Sequence, residues 1–317
     1  MFTNSSPRRR ILIGLLFLLC MILAAEYLVG WQAILVPWSS LQPVQLVVAV
    51  ILVLISYGVR TLRLVFFFSR ELRDYFSSAL KLMLIHNFWN TLLPMRTGEI
   101  SFPILMQRYF DIRPARSLPA LFWFRLLDLY VVLMLGVISL MLTGGGLLNA
   151  LLTSIILTAI IPLCWKMLPA LLGWLETAKS RRISLVASRI RQSLPDSWRL
   201  LAMSTFWTVL NWAVKLAVFV WVLQQFVSID AGTALLGAIA GELSSVLPVH
   251  GFAGAGTYEA AIVVAMIPSG MDPQQALLAA VNLHIFLLSC ALLSGLLGHF
   301  LPGKSISVAP LRELDRE

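Results

Sequence analysis

Six stretches of the chain, 11–31, 43–68, 118–142, 147–169, 201–223 and 275–300, are continuously apolar and hold at most two charged residues each. Each is long enough to cross the roughly 30 Å hydrocarbon core of a bilayer as a helix. A water-soluble fold needs a polar surface, and about 25% charged residues is usual. Here 12% are charged and 59% hydrophobic. The fold class is therefore all-α integral membrane. An outer-membrane barrel is excluded because its strands alternate apolar and polar residues. Arg8-Arg9-Arg10 followed by Ile11–Ala25 resembles a signal peptide. The apolar run continues through Tyr27, Leu28, Val29 and Trp31, so an uncleaved first span is the expectation.

Four shorter apolar segments, 78–93, 100–107, 234–247 and 255–268, form two pairs. The first pair is broken by Pro94 to Glu99 and the second by Pro248 to Gly256. Charge sets the expected orientation. Arg8–Arg10, the Arg60–Arg73 group, Arg108–Arg116, the basic stretch 173–200 and Lys304–Arg316 fall on one side, and the loops on the other side carry no Lys or Arg. By the positive-inside rule that side is the cytoplasm, so both termini are cytoplasmic in a bacterial-type inner membrane. An arm of eight residues, such as 100–107, reaches about 12 Å as helix. A re-entrant hairpin therefore suits the first pair, while the second pair either dips in or crosses twice. The chain then reads as one transmembrane domain over 1–317, about six full spans plus two re-entrant hairpins. Its order repeats as span, span, hairpin, span. That gives two inverted-topology halves, about 8–142 and 147–300, with a cytoplasmic basic loop at about 173–200.

The two interruptions carry the chemistry. In the first, Asn90 precedes Pro94, Arg96, Gly98 and Glu99. Proline breaks the helix and glycine permits reversal, while arginine is a planar fork suited to phosphate. Glu99 is placed to balance Arg96. The alternative is an exposed ion pair in an ordinary loop, worth little. In the second, Gly251, Gly254 and Gly256 leave backbone amides open at a helix start, an anion site. His250 titrates near neutral pH, and Glu259 suits a first helical turn. Arg125 and Asp128 stand three apart inside a span, either as a clamp between helices or as part of a polar pathway. Lys215 lies deep in its span, four residues after Asn211, and Glu242 is a conceivable partner. The candidate substrate-binding set is Asn90, Arg96, Glu99, Arg125, Asp128, Lys215, Glu242, His250, Gly254, Gly256 and Glu259.

Asn90-x2-Leu93-Pro94-x-Arg96-x-Gly98-Glu99, Phe124-Arg125-Leu126-Leu127-Asp128 and Leu247-Pro248 with its glycines and Glu259 resemble the flippase-like transmembrane region of lysylphosphatidylglycerol synthetases. The resemblance covers nearly the whole chain. It implies a protein that moves a lipid with a polar, anionic or phosphate-bearing headgroup between leaflets, with Arg96, Glu99 and Glu259 in the headgroup path. Three departures stand out. No soluble synthetase domain accompanies the region, so headgroup synthesis is not implied. Gly251-Phe252-Ala253-Gly254 replaces a more usual Gly-Gly pair, and His284 stands where an arginine is expected.

The alternatives are an integral-membrane lipid-modifying enzyme, such as a lipid-linked glycosyl or phosphoryl transferase, and a non-catalytic subunit beside one. No DxD, HExxH or GxSxG motif is present. Cys20, Cys164 and Cys290 are scattered in apolar runs, so neither a metal site nor another cofactor is expected. The net charge of +9 points to the anionic inner leaflet as partner and not to nucleic acid, because the basic residues cluster between spans. A membrane phospholipid or lipid-linked substrate and a lipid-synthesis enzyme are the other partners this reading admits. No sequence feature sets an oligomeric state.

Overall fold

The computed structural model describes residues 23, 26–27, 30–177, 180–191, 194–246 and 252–303. They fold as helices α1 (Trp31–Ser39), α2 (Pro43–Phe67), α3 (Ser69–Leu72), α4 (Phe76–Leu92), α5 (Ser101–Phe110), α6 (Pro114–Met141), α7 (Gly146–Glu176), α8 (Arg181–Arg191), α9 (Trp198–Phe226), α10 (Ala231–Val246), α11 (Thr257–Met266) and α12 (Pro273–Phe300). A 3₁₀ segment, Pro94–Ile100, joins α4 to α5. Five helices among the described residues, α2, α6, α7, α9 and α12, are long and apolar enough to cross a membrane. They match five of the six expected spans. The sixth, 11–31, falls almost wholly outside the described residues.

Local chemistry accounts for the boundaries. α2, α6 and α12 open on proline, which is tolerated in a first turn because the missing N–H would have no helical partner. α5 closes where Asp111 turns left-handed at φ 54, letting its amide reach the Gln107 carbonyl and that of Ile112 reach the Met106 carbonyl. α6 and α7 run on without a connecting loop and are separated at Gly146 by φ 77, ψ 176, a conformation open to glycine. Asp230 and Asp272 cap α10 and α12 by accepting first-turn amides.

The described residues gather into two compact units. One comprises 90–97, 213–292 and the chain up to 54; the other comprises 55–89, 98–212 and the chain from 293. α2, α9 and α12 each contribute to both. In the first unit α10 and α11 pack along each other. The fit depends on Gly237 and Gly241, whose absent Cβ atoms would lie 3.0 Å from Met266 Sδ and 2.9 Å from the Tyr258 ring. In the second, the core centres on Leu64, Phe68, Leu82, Phe102, Met106 and Phe124. The basic stretch after α7 folds in part as α8, which lies against the end of α7 with Ala187 buried.

Arg60 and Arg63, toward the end of the apolar run 43–68, lie inside α2. Arg63 is 5% exposed. They stand three residues apart, on one helix face, turned toward a carboxylate on α6.

Candidate functional site

Each unit encloses a cluster of charged side chains in helices that are otherwise apolar. In the second unit the centre is Asp128 on α6. Arg63 Nη1 donates to its Oδ1 at 2.7 Å and Arg63 Nη2 to its Oδ2 at 3.3 Å, a bidentate pair. The Trp212 indole on α9 donates to the same Oδ1 at 3.2 Å. Arg63 also donates to Thr208 at 2.7 Å, and its guanidinium lies over the Phe124 ring at 4.7 Å. Asp128 thus ties α2, α6 and α9 together.

Arg125 extends the cluster. Its Nε meets Glu99 at 3.0 Å and its Nη1 lies 3.7 Å from Asp128. Its Nη2 donates toward His86 Nε2 at 3.4 Å. A guanidinium only donates, so that histidine nitrogen accepts, and Nδ1–H donates to Ser101 Oγ at 2.9 Å. His86 is held as a neutral ring of fixed tautomer. Arg60 is the odd member: among the described residues no carboxylate lies within 4 Å of it, and its Nε is enclosed without a hydrogen-bond partner. It rests 5.8 Å from the Trp212 ring. Arg60, Arg63, His86, Arg125 and Asp128 border a cavity of about 20 Å³, room for about one water.

The first unit holds two pairs. Lys215 on α9 meets Glu242 on α10 at 2.7 Å, both buried, with Phe219 under the ammonium at 5.1 Å. Glu259 on α11 meets His284 on α12. Its Oε1 lies 2.6 Å from His284 Nδ1, and its Oε2 accepts the Gly256 amide at 2.8 Å. His284 Nε2 donates to the Ala253 carbonyl at 2.9 Å. Tyr258 lies over the imidazole, ring centroids 4.7 Å apart, and within electrostatic reach of Glu242 and Glu259. Its hydroxyl and Glu242 Oε1 are buried without hydrogen-bond partners among the described residues. An apolar groove of about 440 Å³ lies between Val44, Val48 and Leu52 of α2 and Val214, Val218 and Trp221 of α9.

Both interruptions hold a residue in left-handed backbone. Arg96 has φ 55 and Ala253 φ 55, a conformation that costs a non-glycine residue about 1–2 kcal/mol. Gly254 and Gly256, at φ 80 and φ 84, adopt left-handed values that glycine takes freely. Asn90 closes α4 with Oδ1 enclosed and unpartnered among the described residues, as are both amide atoms of the fully buried Asn211. His250 lies outside the described residues. Of the remaining candidates, Glu99, Arg125 and Asp128 come together in one unit, and Lys215, Glu242, Gly254, Gly256 and Glu259 in the other, which also holds Asn90 and Arg96. Arg60, Arg63, His86 and Tyr258 were not foreseen as members. Arg60 and Arg63 signalled their place by i,i+3 spacing inside an apolar run.

No curated protein and no solved structure matches the chain. The family described as the lysylphosphatidylglycerol synthase TM region matches residues 11–295. That match takes in both interruptions, both charged clusters, four of the membrane-length helices and most of the fifth, and the chain belongs to this family.

Proposed function

We propose that this protein is a lipid translocase of the bacterial inner membrane, carrying a lipid with an anionic or phosphate-bearing headgroup between leaflets. The observation that carries the reading is the charge of the Asp128 cluster. Among the described residues, three guanidiniums, those of Arg60, Arg63 and Arg125, face two carboxylates, Asp128 and Glu99, and Arg60 has neither carboxylate as a direct partner. Charge inside membrane helices is expensive, and an unbalanced cation there suits an anion that visits. Arginine matches phosphate through its planar donor fork.

On this reading the residues that meet the headgroup are Glu99, Arg125 and Asp128 in one unit and Asn90, Arg96, Lys215, Glu242, Gly254, Gly256 and Glu259 in the other, with His250. The apolar groove between α2 and α9, of about 440 Å³, gives an acyl chain a surface to follow. The α4–α5 and α10–α11 pairs act as re-entrant hairpins of two inverted halves, a plan in which broken helices form a substrate site near the bilayer midplane. Both termini face the cytoplasm, the basic segments lie on the anionic inner leaflet, and an enzyme of lipid synthesis supplies the cargo. A translocase changes where a lipid is; an enzyme changes what it is. Purified protein is reconstituted with headgroup-labelled anionic and neutral lipids, and leaflet distribution and lipid mass are followed together. The expected result is movement of the anionic lipid at unchanged mass. A mass change without movement would assign the protein to lipid chemistry instead.

A further inference from the structure

The geometry points to a proton-binding site shared by Glu259 and His284, whose proton holds the 252–256 turn closed over α11. The inference rests on the translocase reading only for its use in transport; the site itself stands on hydrogen-bond geometry.

His284 Nε2 faces the Ala253 carbonyl at 2.9 Å. A carbonyl only accepts, so Nε2 carries a hydrogen. His284 Nδ1 faces a Glu259 oxygen at 2.6 Å. Two bare lone pairs would repel at that distance, so a proton lies between them as well. The pair therefore holds one proton more than a carboxylate beside a neutral imidazole. His86 makes the contrast, since it has a guanidinium donor at one nitrogen and a hydroxyl at the other and is satisfied as a neutral ring.

Among the described residues, Tyr258 on α11 and Glu242 on α10 are the titratable neighbours tied to the pair. Lys215 is already matched by Glu242 at 2.7 Å. Loss of the proton sets the bare Nδ1 lone pair against the Glu259 carboxylate, and the two repel. The turn depends on the same proton. Ala253 sits at φ 55, a strained value for alanine, with the imidazole donating to its carbonyl. Glu259 Oε2 accepts the Gly256 amide at 2.8 Å. With the proton lost, His284 can donate to only one of its two acceptors, so its hold on the Ala253 carbonyl weakens. An arginine in its place would stay charged.

The test is hydrogen exchange of peptides covering 252–259, on the full chain in nanodiscs, from pH 5.5 to 8.5 and corrected for intrinsic exchange. In the wild type protection falls about tenfold across that range, the scale of a lost charge-assisted hydrogen bond. His284→Arg holds protection at both ends of the range, and His284→Gln loses it at both. Peptides from α6 serve as the control and stay level. Protection that is independent of pH in the wild type would overturn the proposal, without need of any variant. So would a His284→Gln protein that keeps the wild-type pH profile. Because exchange is read whether or not lipid moves, failure of this proposal is separate from failure of the translocase reading.

Discussion

At the scale of single residues, the two acidic partners of the α6 cluster are unequal. Asp128 and Arg63 have side chains 5% and 6% exposed, whereas Glu99 and Arg125 are 27% and 20% exposed. Removing one member of a fully buried pair strands the other charge and costs about 3–5 kcal/mol; a part-exposed pair is screened and worth less. Asp128→Asn is therefore expected to lower the melting temperature in detergent far more than Glu99→Gln. Equal shifts would show that Asp128 is not the clamp of α2, α6 and α9. Lys215 and Glu242 invite a double-mutant cycle. Each single change, Lys215→Met or Glu242→Leu, is expected to destabilise by about 3–5 kcal/mol, and the double change by much less, since no charge is then left alone. Additive losses would mean the two residues act through other partners. Arg96, Glu99, Arg125, Asp128, Lys215, Glu242 and Glu259 stood out in the sequence because charge is rare in apolar runs. Arg60 and Arg63 did not, because basic residues near the end of a run look the same whether they leave the membrane or turn inward. The partner of Glu259 is 25 residues away in the chain, a separation that no local pattern encodes.

At the scale of elements, run length and proline placed the helices well. The apolar run 43–68 becomes Pro43–Phe67, and 275–300 becomes Pro273–Phe300, because a stretch of about 25 apolar residues has few other ways to satisfy its backbone in a bilayer. Packing between elements was less legible, since glycine reads as a breaker in sequence and as a contact in three dimensions. Gly241→Ala puts a methyl 2.9 Å from the Tyr258 ring, and overpacking of this kind costs about 1–3 kcal/mol. Gly58, on α2, has nothing within 4 Å of its Cβ position. Gly58→Ala is expected to stabilise by about 0.5–1 kcal/mol through helix propensity. Thermal unfolding of the two variants side by side checks the contrast, and a neutral Gly241→Ala would contradict the close α10–α11 contact. The start of α10 offers a further check. Thr233 and the Gly232 amide hold the Asp230 carboxyl below its ordinary range. A depressed carboxyl stabilises above its unfolded value and loses that contribution as pH falls through the folded value. Asp230→Ala should cost about 1 kcal/mol at neutral pH and progressively less in acid; a loss unchanged down to pH 3 would remove the cap from the account.

At the scale of the whole molecule, the sequence suggested halves of about 8–142 and 147–300, whereas each compact unit draws on both. A linear reading groups segments by order along the chain. Long helices such as α2, α9 and α12 give one stretch to each unit, so order and compactness diverge. Membrane class and family were legible because both rest on features of the sequence itself: apolar run length, and the proline, glycine and charge pattern of the interruptions. The partners inside each cluster were not, since they are assembled from helices distant in sequence. The central claim is that these polar groups form the path of a lipid headgroup. It is tested most directly by lipid translocation in proteoliposomes, comparing wild type with Arg96→Ala and Glu259→Gln, each first shown to be folded by its melting curve. The account predicts that wild type redistributes an anionic headgroup-labelled lipid at unchanged mass and that both folded variants lose most of that rate. Folded variants that move lipid as fast as wild type would contradict it.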